Sequence, residues 1–138
     1  MIGKIAHIGI AVRDLEASAK HYREVLGLEE LYREEVADQK VETVVFGAGE
    51  SHVELLGPTS PDSPIAKFLE KRGEGIHHVA YAVDDLEAKL ADLAGKGARL
   101  IDEKPRVGAG GHLIAFVHPK SACGVLTEMT QLVTGDER

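Results

Sequence analysis

Hydrophobic and polar residues alternate along two short stretches that read almost alike. "HIGIAVRDLEA" begins at His7 and "HVAYAVDDLEA" begins at His78, and the two agree at His, Ala, Val, Asp, Leu, Glu and Ala. In each copy a strand-like alternation gives way to apolar residues at helical spacing. Asp14 and Asp85 are the predicted N-caps of the two helices. The repeat therefore predicts two strand-helix pairs, one in each half of the chain.

The remainder of each half is predicted to form three more strands. After a helix end at Gly27, the first half has alternating stretches at 29–36, 40–47 and 51–56. The second half is predicted to contain a strand at 76–83, a helix at 85–95, and strands near 98–102, 112–117 and 124–131. A short helix starting at Pro64 links the halves, and the tail "LVTGDER" is expected to be frayed.

This order of elements predicts an α+β fold. It consists of two tandem β-α-β-β-β units, at about 4–56 and 76–131, within a single domain over residues 1–138. Each unit has too few residues to bury a sufficient core by itself. We therefore expect the two sheets to pack side by side into one curved, cupped surface.

Composition and charge exclude several classes of protein. The chain is 43% hydrophobic and 28% charged, as expected of a globular protein. Its net charge of −7 argues against a nucleic-acid partner, which needs a basic surface. No apolar run is long enough to span a bilayer, and no export signal precedes the first strand. With Cys123 as the single cysteine, these features predict a cytoplasmic protein.

Strand alternation gives the two repeated histidines a common environment. His7 shares a side of its strand with Gly9 and Ala11, and His78 occupies the matching position in the second copy. The bulkier residues on the opposite side are expected to pack against the helices. The histidine side is lined by small residues, which leaves space for a bound group.

Two glutamates occupy matching positions on the last strand of each unit. Glu54 lies in "HVELL" and Glu128 in "VLTEMTQ", both among hydrophobic neighbours. A buried carboxylate costs several kcal/mol unless a cation compensates it. His7, Glu54, His78 and Glu128 therefore form a predicted ligand set for one divalent ion, such as Co, Mn, Ni, Zn or Fe, in the cup. The alternative for each glutamate is an edge-strand acid paired with a lysine.

Other charged residues have weaker patterns. "KVETVVF" places Glu42 on the same side of a strand as Val44 and Phe46, and the alternative is a solvated edge position. Loop residues Lys104, Arg106 and Lys120 could hold a phosphate-bearing ligand, or they could be ordinary surface cations.

The duplicated unit resembles the vicinal oxygen chelate superfamily, which includes glyoxalase I, ring-cleaving dioxygenases and drug-resistance proteins. "DSPIAKFLEKRGEGIHHVAYAV" and "DEKPRVGAGGHLIAFVHPKSACGVLTEMTQ" resemble the methylmalonyl-CoA epimerase family in particular, over residues 4–131. The resemblance implies an acyl-CoA substrate, a homodimer, and a divalent metal, often cobalt. The metal ligands of that family match His7, Glu54, His78 and Glu128, although some relatives carry Gln at the position of Glu54.

The resemblance also implies a reaction, the interconversion of the 2R and 2S forms of methylmalonyl-CoA. A proton leaves the carbon between a thioester and a carboxylate, and a proton returns on the opposite face, so two bases are needed. Glu42 is one candidate implied by the resemblance, and Glu128 or a water is the other. The alternatives are a glyoxalase I-type isomerase, a ring-cleaving dioxygenase, and a metal-free drug-binding resistance protein.

Overall fold

A computed structural model of the protein describes residues 1–132, and its described elements are of the α+β class. The strands are β1 Ile2–Ala11, β2 Glu29–Val36, β3 Val41–Ala48, β4 Ser51–Pro58, β5 Gly75–Val83, β6 Arg106–Val107, β7 Leu113–Val117 and β8 Thr127–Gln131. The helices are α1 Leu15–Glu24, α2 Pro64–Arg72 and α3 Leu86–Gly95. Within residues 1–132 no helix is long and apolar enough to cross a membrane. The predicted α+β class is confirmed.

The stretch near 98–102 differs from its prediction as a strand. There Leu100 makes an isolated bridge to Val117, and the strand that pairs with β7 is the later β6. The backbone N–H groups of Ile101 and Asp102 both donate to the carbonyl of Phe116, at 2.9 and 3.2 Å, and the Asp102 carboxylate accepts a hydrogen bond from the N–H of Phe116 at 2.8 Å. The stretch therefore contacts β7 around the single residue Phe116 instead of along a continuous ladder. Of the tail that is predicted to be frayed, the residues after Leu132 lie outside the described part of the chain.

The eight strands have the order β2-β3-β4-β1-β5-β8-β7-β6. They belong to two compact units. Ile8–His77 forms the central unit, and Met1–His7 with the described residues from His78 onward forms the terminal unit. The division falls within β1, directly after His7. The tandem boundaries inferred from the repeat, and the single domain over 1–138, stay predictions.

In the central unit, α1 and α2 pack on opposite sides of the strands. Helix α1 begins after Asp14, whose carboxylate accepts a hydrogen bond from the N–H of Ala17 at 3.0 Å. One cluster joins this helix to the sheet through Val12, Ala19, Val44, Phe46 and Leu55. The other joins α2 to the sheet through Ala11, Val41, Leu56, Ile65 and Leu69. Successive residues of each strand therefore belong to different cores.

In the terminal unit, α3 covers one side of the strands. Asp85 caps this helix by accepting a hydrogen bond from the N–H of Ala88 at 3.1 Å. Leu86 and Leu90 are buried, and the core they form also contains Val83, Ala115, Val117 and Met129. The residues that alternate with these along β5, β7 and β8 therefore lie on the side opposite α3.

Candidate metal centre

Three residues of the terminal unit, His7, His78 and Glu128, bring potential ligand atoms within 4.8 Å of one another. The two Nε2 atoms are 3.0 Å apart. Oε1 of Glu128 lies 3.7 Å from Nε2 of His7 and 3.5 Å from Nε2 of His78. Two imidazole nitrogens and a carboxylate oxygen thus converge on one point, as the sequence predicts for these three side chains.

Strand pairing explains why Glu128 points towards the histidines. Glu128 is opposite Ala80 on β5 and opposite Phe116 on β7, and cross-strand partners project to the same side of a sheet. Ala80 follows His78 by two residues, so His78 projects to that side as well. Met129, the next residue of β8, packs in the core under α3.

The three donors fit a divalent transition-metal ion. Imidazole nitrogen and carboxylate oxygen are the donor types that bind such ions, and the two Nε2 atoms, 3.0 Å apart, are close enough for one ion to contact both. Oε1 of Glu128, 3.5 and 3.7 Å from these nitrogens, would be within reach of the same ion. Three protein donors of this type leave coordination positions open, as in catalytic metal sites.

The centre is largely shielded from water. The side chains of His78 and Glu128 are each 7% exposed, and that of His7 is 15% exposed. Burial raises the pKa of Glu128, but its contact with His7 and the charges of His7, His78 and Arg106 outweigh burial and leave the pKa below its ordinary value. The carboxylate is therefore ionised at neutral pH, which a metal ligand requires.

Aromatic packing orients the His78 ring. His78 meets His7 edge to face, with ring centroids 5.1 Å apart at 87°, and meets Phe116 at 5.7 Å and 83°. The guanidinium of Arg106 lies over the Phe116 ring, 5.5 Å from its centroid. Sequence reasoning missed Phe116 and placed Arg106 only on a loop. The available signal was the alternation of Phe116 with Ala115 and Val117.

Glu54, the fourth predicted ligand, belongs to the central unit. It is half-buried on β4, opposite the buried Val45 of β3. Its side of the strand is that of Leu56, which packs with Ala11. Glu54 is thus on the side of β4 that does not face α1. Its role as a ligand stays a prediction.

Glu42 also belongs to the central unit, but it projects to the side of the strands opposite to that of Glu54. It is half-buried and opposite Gly57, where an added Cβ would come within 3.0 Å of Leu15 in α1. As predicted, Glu42 alternates in phase with Val44 and Phe46, and both pack in the cluster that contains α1 residues. Its role as a base stays a prediction.

Two of the other histidines have structural contacts. His77 packs edge to face on Phe68 with ring centroids 5.0 Å apart. His118 accepts a hydrogen bond through Nδ1 from the N–H of Lys120 at 3.0 Å. Partial desolvation and the charges of Arg99 and Lys120 lower the pKa of His118.

Comparison with known proteins identifies the relatives of this chain. Residues 6–116 match the profile of the Glyoxalase/Bleomycin resistance protein/Dioxygenase superfamily. An ethylmalonyl-CoA/methylmalonyl-CoA epimerase of Cereibacter sphaeroides is 41% identical over 134 residues, which cover 96% of this chain and 100% of that protein. An uncharacterized Bacillus subtilis protein, YqjC, is 42% identical over 130 residues, 94% of this chain and 93% of that one.

A solved structure has a closely similar fold. A variant of the Streptomyces coelicolor methylmalonyl-CoA epimerase in complex with 2-nitronate-propionyl-CoA superimposes with a TM-score of 0.91. It is 38% identical in sequence, and the match covers 97% of each chain. The similarity therefore extends over the whole of the fold that carries the three donors.

Proposed function

The chain belongs to the Glyoxalase/Bleomycin resistance protein/Dioxygenase superfamily, and from this membership we propose that it is a metal-dependent epimerase of methylmalonyl-CoA. The observation that carries the proposal is the convergence of His7, His78 and Glu128 at 3.0–3.7 Å. The relatives described as epimerases of this substrate match nearly the full chain. Methylmalonyl as the acyl group is also part of the proposal. It rests on the relatives described as epimerases, since YqjC, which is about as similar to this chain, is uncharacterized.

In the proposed reaction the three donors of the terminal unit hold one divalent ion. When bound, the ion would supply Lewis-acid stabilisation of the negative charge that develops on the substrate oxygens. The side chains around it exclude water, which strengthens each electrostatic interaction in the site. Glu54 as a fourth ligand, cobalt as the metal, a homodimer and a cytoplasmic location stay predictions from the sequence.

The proton must leave one face of the substrate and return to the other. Glu128 is buried beside both histidines and is ionised, so it can act as a base if its bond to the metal is labile. We infer that Glu128, or a water held near it, serves one face. For the other face, the sequence resemblance implies Glu42.

The test is incubation of the purified, metal-loaded protein with one epimer of methylmalonyl-CoA in D2O. We expect the opposite epimer to form, with deuterium at the α carbon. The matched control is the same protein after chelation, which should lose activity and regain it with a divalent ion. Full turnover by the metal-free protein contradicts the mechanism, and turnover of a glutathione hemithioacetal in place of the thioester would indicate a glyoxalase I-type isomerase.

A further inference from the structure

The side of the terminal unit that carries Glu128 extends across β7 to β6. Phe116 lies opposite Glu128, and Arg106 lies opposite Ile114 on the same strand as Phe116. Ile114 and Phe116 are two residues apart and project together, away from the α3 core. Arg106 is therefore on the same side of the sheet as the metal centre.

Arg106 is held in place by a carboxylate and an aromatic ring. Its Nε donates a hydrogen bond to Oδ1 of Asp102 at 3.2 Å, and Oδ2 of Asp102 accepts one from the N–H of Phe116 at 2.8 Å. The guanidinium also stacks over the Phe116 ring, at 5.5 Å from its centroid. Since Asp102 engages Nε, the planar fork formed by the two Nη groups is the part suited to an anionic partner.

The guanidinium is also coupled to the metal centre. Phe116 contacts both Arg106 and the ring of His78. A single aromatic ring therefore lies between the guanidinium and His78, one of the predicted ligands. With a side chain that is 38% exposed, Arg106 is a fixed cation beside the centre that remains accessible to a ligand.

We propose that Arg106 determines specificity by binding the free carboxylate of an acidic acyl thioester at the metal centre. This inference rests on the proposed function. Asp102 is then a positioning residue that orients the guanidinium. A planar guanidinium binds a carboxylate through two parallel charge-assisted hydrogen bonds. A neutral acyl thioester cannot make them, and a site built for such a group rejects the analogue that lacks it.

The experiment compares two thioesters that differ only in the carboxylate, methylmalonyl-CoA and propionyl-CoA. Their affinities for the metal-loaded wild type and Arg106→Gln are measured by calorimetry. We expect the wild type to prefer methylmalonyl-CoA and Arg106→Gln to lower that preference about tenfold or more. The affinity for propionyl-CoA and the metal content should not change.

Arg72→Gln is the matched control. Arg72 stacks over Phe68 at 6.0 Å in the central unit, so the variant removes the same charge and the same kind of stack at another place. It should keep the full preference. Asp102→Asn should reduce the preference by less than Arg106→Gln, and Arg106→Lys should restore part of it because the charge remains without the fork.

Two results would overturn the role of Arg106 and leave the proposed function in place. One is a wild type that epimerises the substrate together with an Arg106→Gln variant that keeps the preference. The other is an equal loss of affinity for both thioesters, which would place the guanidinium against the coenzyme part that they share. A wild type that neither epimerises methylmalonyl-CoA nor prefers it would overturn the proposed function, and the role of Arg106 with it.

Discussion

The last strands of the two repeat copies, β8 and β4, carry matching glutamates in different surroundings. Glu128 is buried in the terminal unit, with two imidazole nitrogens within 3.7 Å of its Oε1. Glu54 is half-buried in the central unit, opposite Val45. The two positions are equivalent in the sequence repeat. Of the two glutamates, however, only Glu128 belongs to the three-donor cluster found among residues 1–132.

His7 accounts for this difference. It belongs to the first repeat copy by sequence, but β1 is divided directly after it, and it lies in the terminal unit with His78 and Glu128. The cluster thus combines one residue from the first copy with two from the second. Duplication therefore specifies matching local elements, whereas strand pairing decides which of their residues share a compact unit.

The largest effect is expected from removal of a histidine. His7→Ala and His78→Ala should each lower metal affinity by more than the roughly 10- to 100-fold typical of changes to groups that support a ligand, because each deletes a donor atom of the cluster. Metal content after dialysis at a fixed free-ion concentration measures both variants. His77→Ala is the control, since His77 packs on Phe68. Unchanged metal content in either of the first two variants contradicts the centre.

A second pair of variants compares the two glutamates directly. Glu128→Gln and Glu54→Gln each replace a carboxylate with a neutral group of the same shape. We expect Glu128→Gln to weaken metal binding by about 10-fold or more, and Glu54→Gln to weaken it less, because Glu54 is half-buried. Calorimetric titration with the metal measures both. Equal losses would show that the repeat equivalence extends to the ligand set.

Glu42→Gln tests the base that the sequence predicts. The side of β3 that carries Glu42 packs against α1, so we expect metal content and inversion rate within about threefold of the wild type, far from the 10²- to 10⁴-fold effect of losing a base. Inversion rate and one-sided deuterium exchange are measured together. A variant that keeps its metal but loses inversion would restore Glu42 as a base.

The smallest effect is expected at an exposed carboxylate of the central unit. Asp62 pairs with Lys40 and Ser60, which lower its pKa to about 2. Since the pKa is lower in the folded state, the stabilisation is complete above the ordinary value of 3.8 and is lost as the pH falls towards about 2. Asp62→Asn should lower the Tm slightly at about pH 6, and the difference should shrink at about pH 3. A constant difference would exclude the titration of Asp62 as its cause.

Much of the secondary structure follows from local patterns in the sequence. The predicted caps Asp14 and Asp85 do cap α1 and α3, and β2 has the predicted bounds, 29–36. These features depend on neighbours in the chain, so periodicity and capping chemistry suffice to predict them. The error near 98–102 arose because this stretch contacts β7 through an isolated bridge and hydrogen bonds around Phe116 instead of a continuous ladder.

The sequence alone determined the α+β class and the residue types that could bind a metal, because the repeat matches His7 with His78 and Glu54 with Glu128 as polar positions in apolar strands. Only the tertiary structure decided that His7, His78 and Glu128 converge within 4.8 Å. It also placed Arg106 over Phe116, and it packed the residues that alternate in phase with Glu42 in the same cluster as α1. Alternation predicts the face of its own strand on which a side chain lies. The pairing of distant strands decides which of these faces lie next to each other, and that pairing depends on packing across the whole chain.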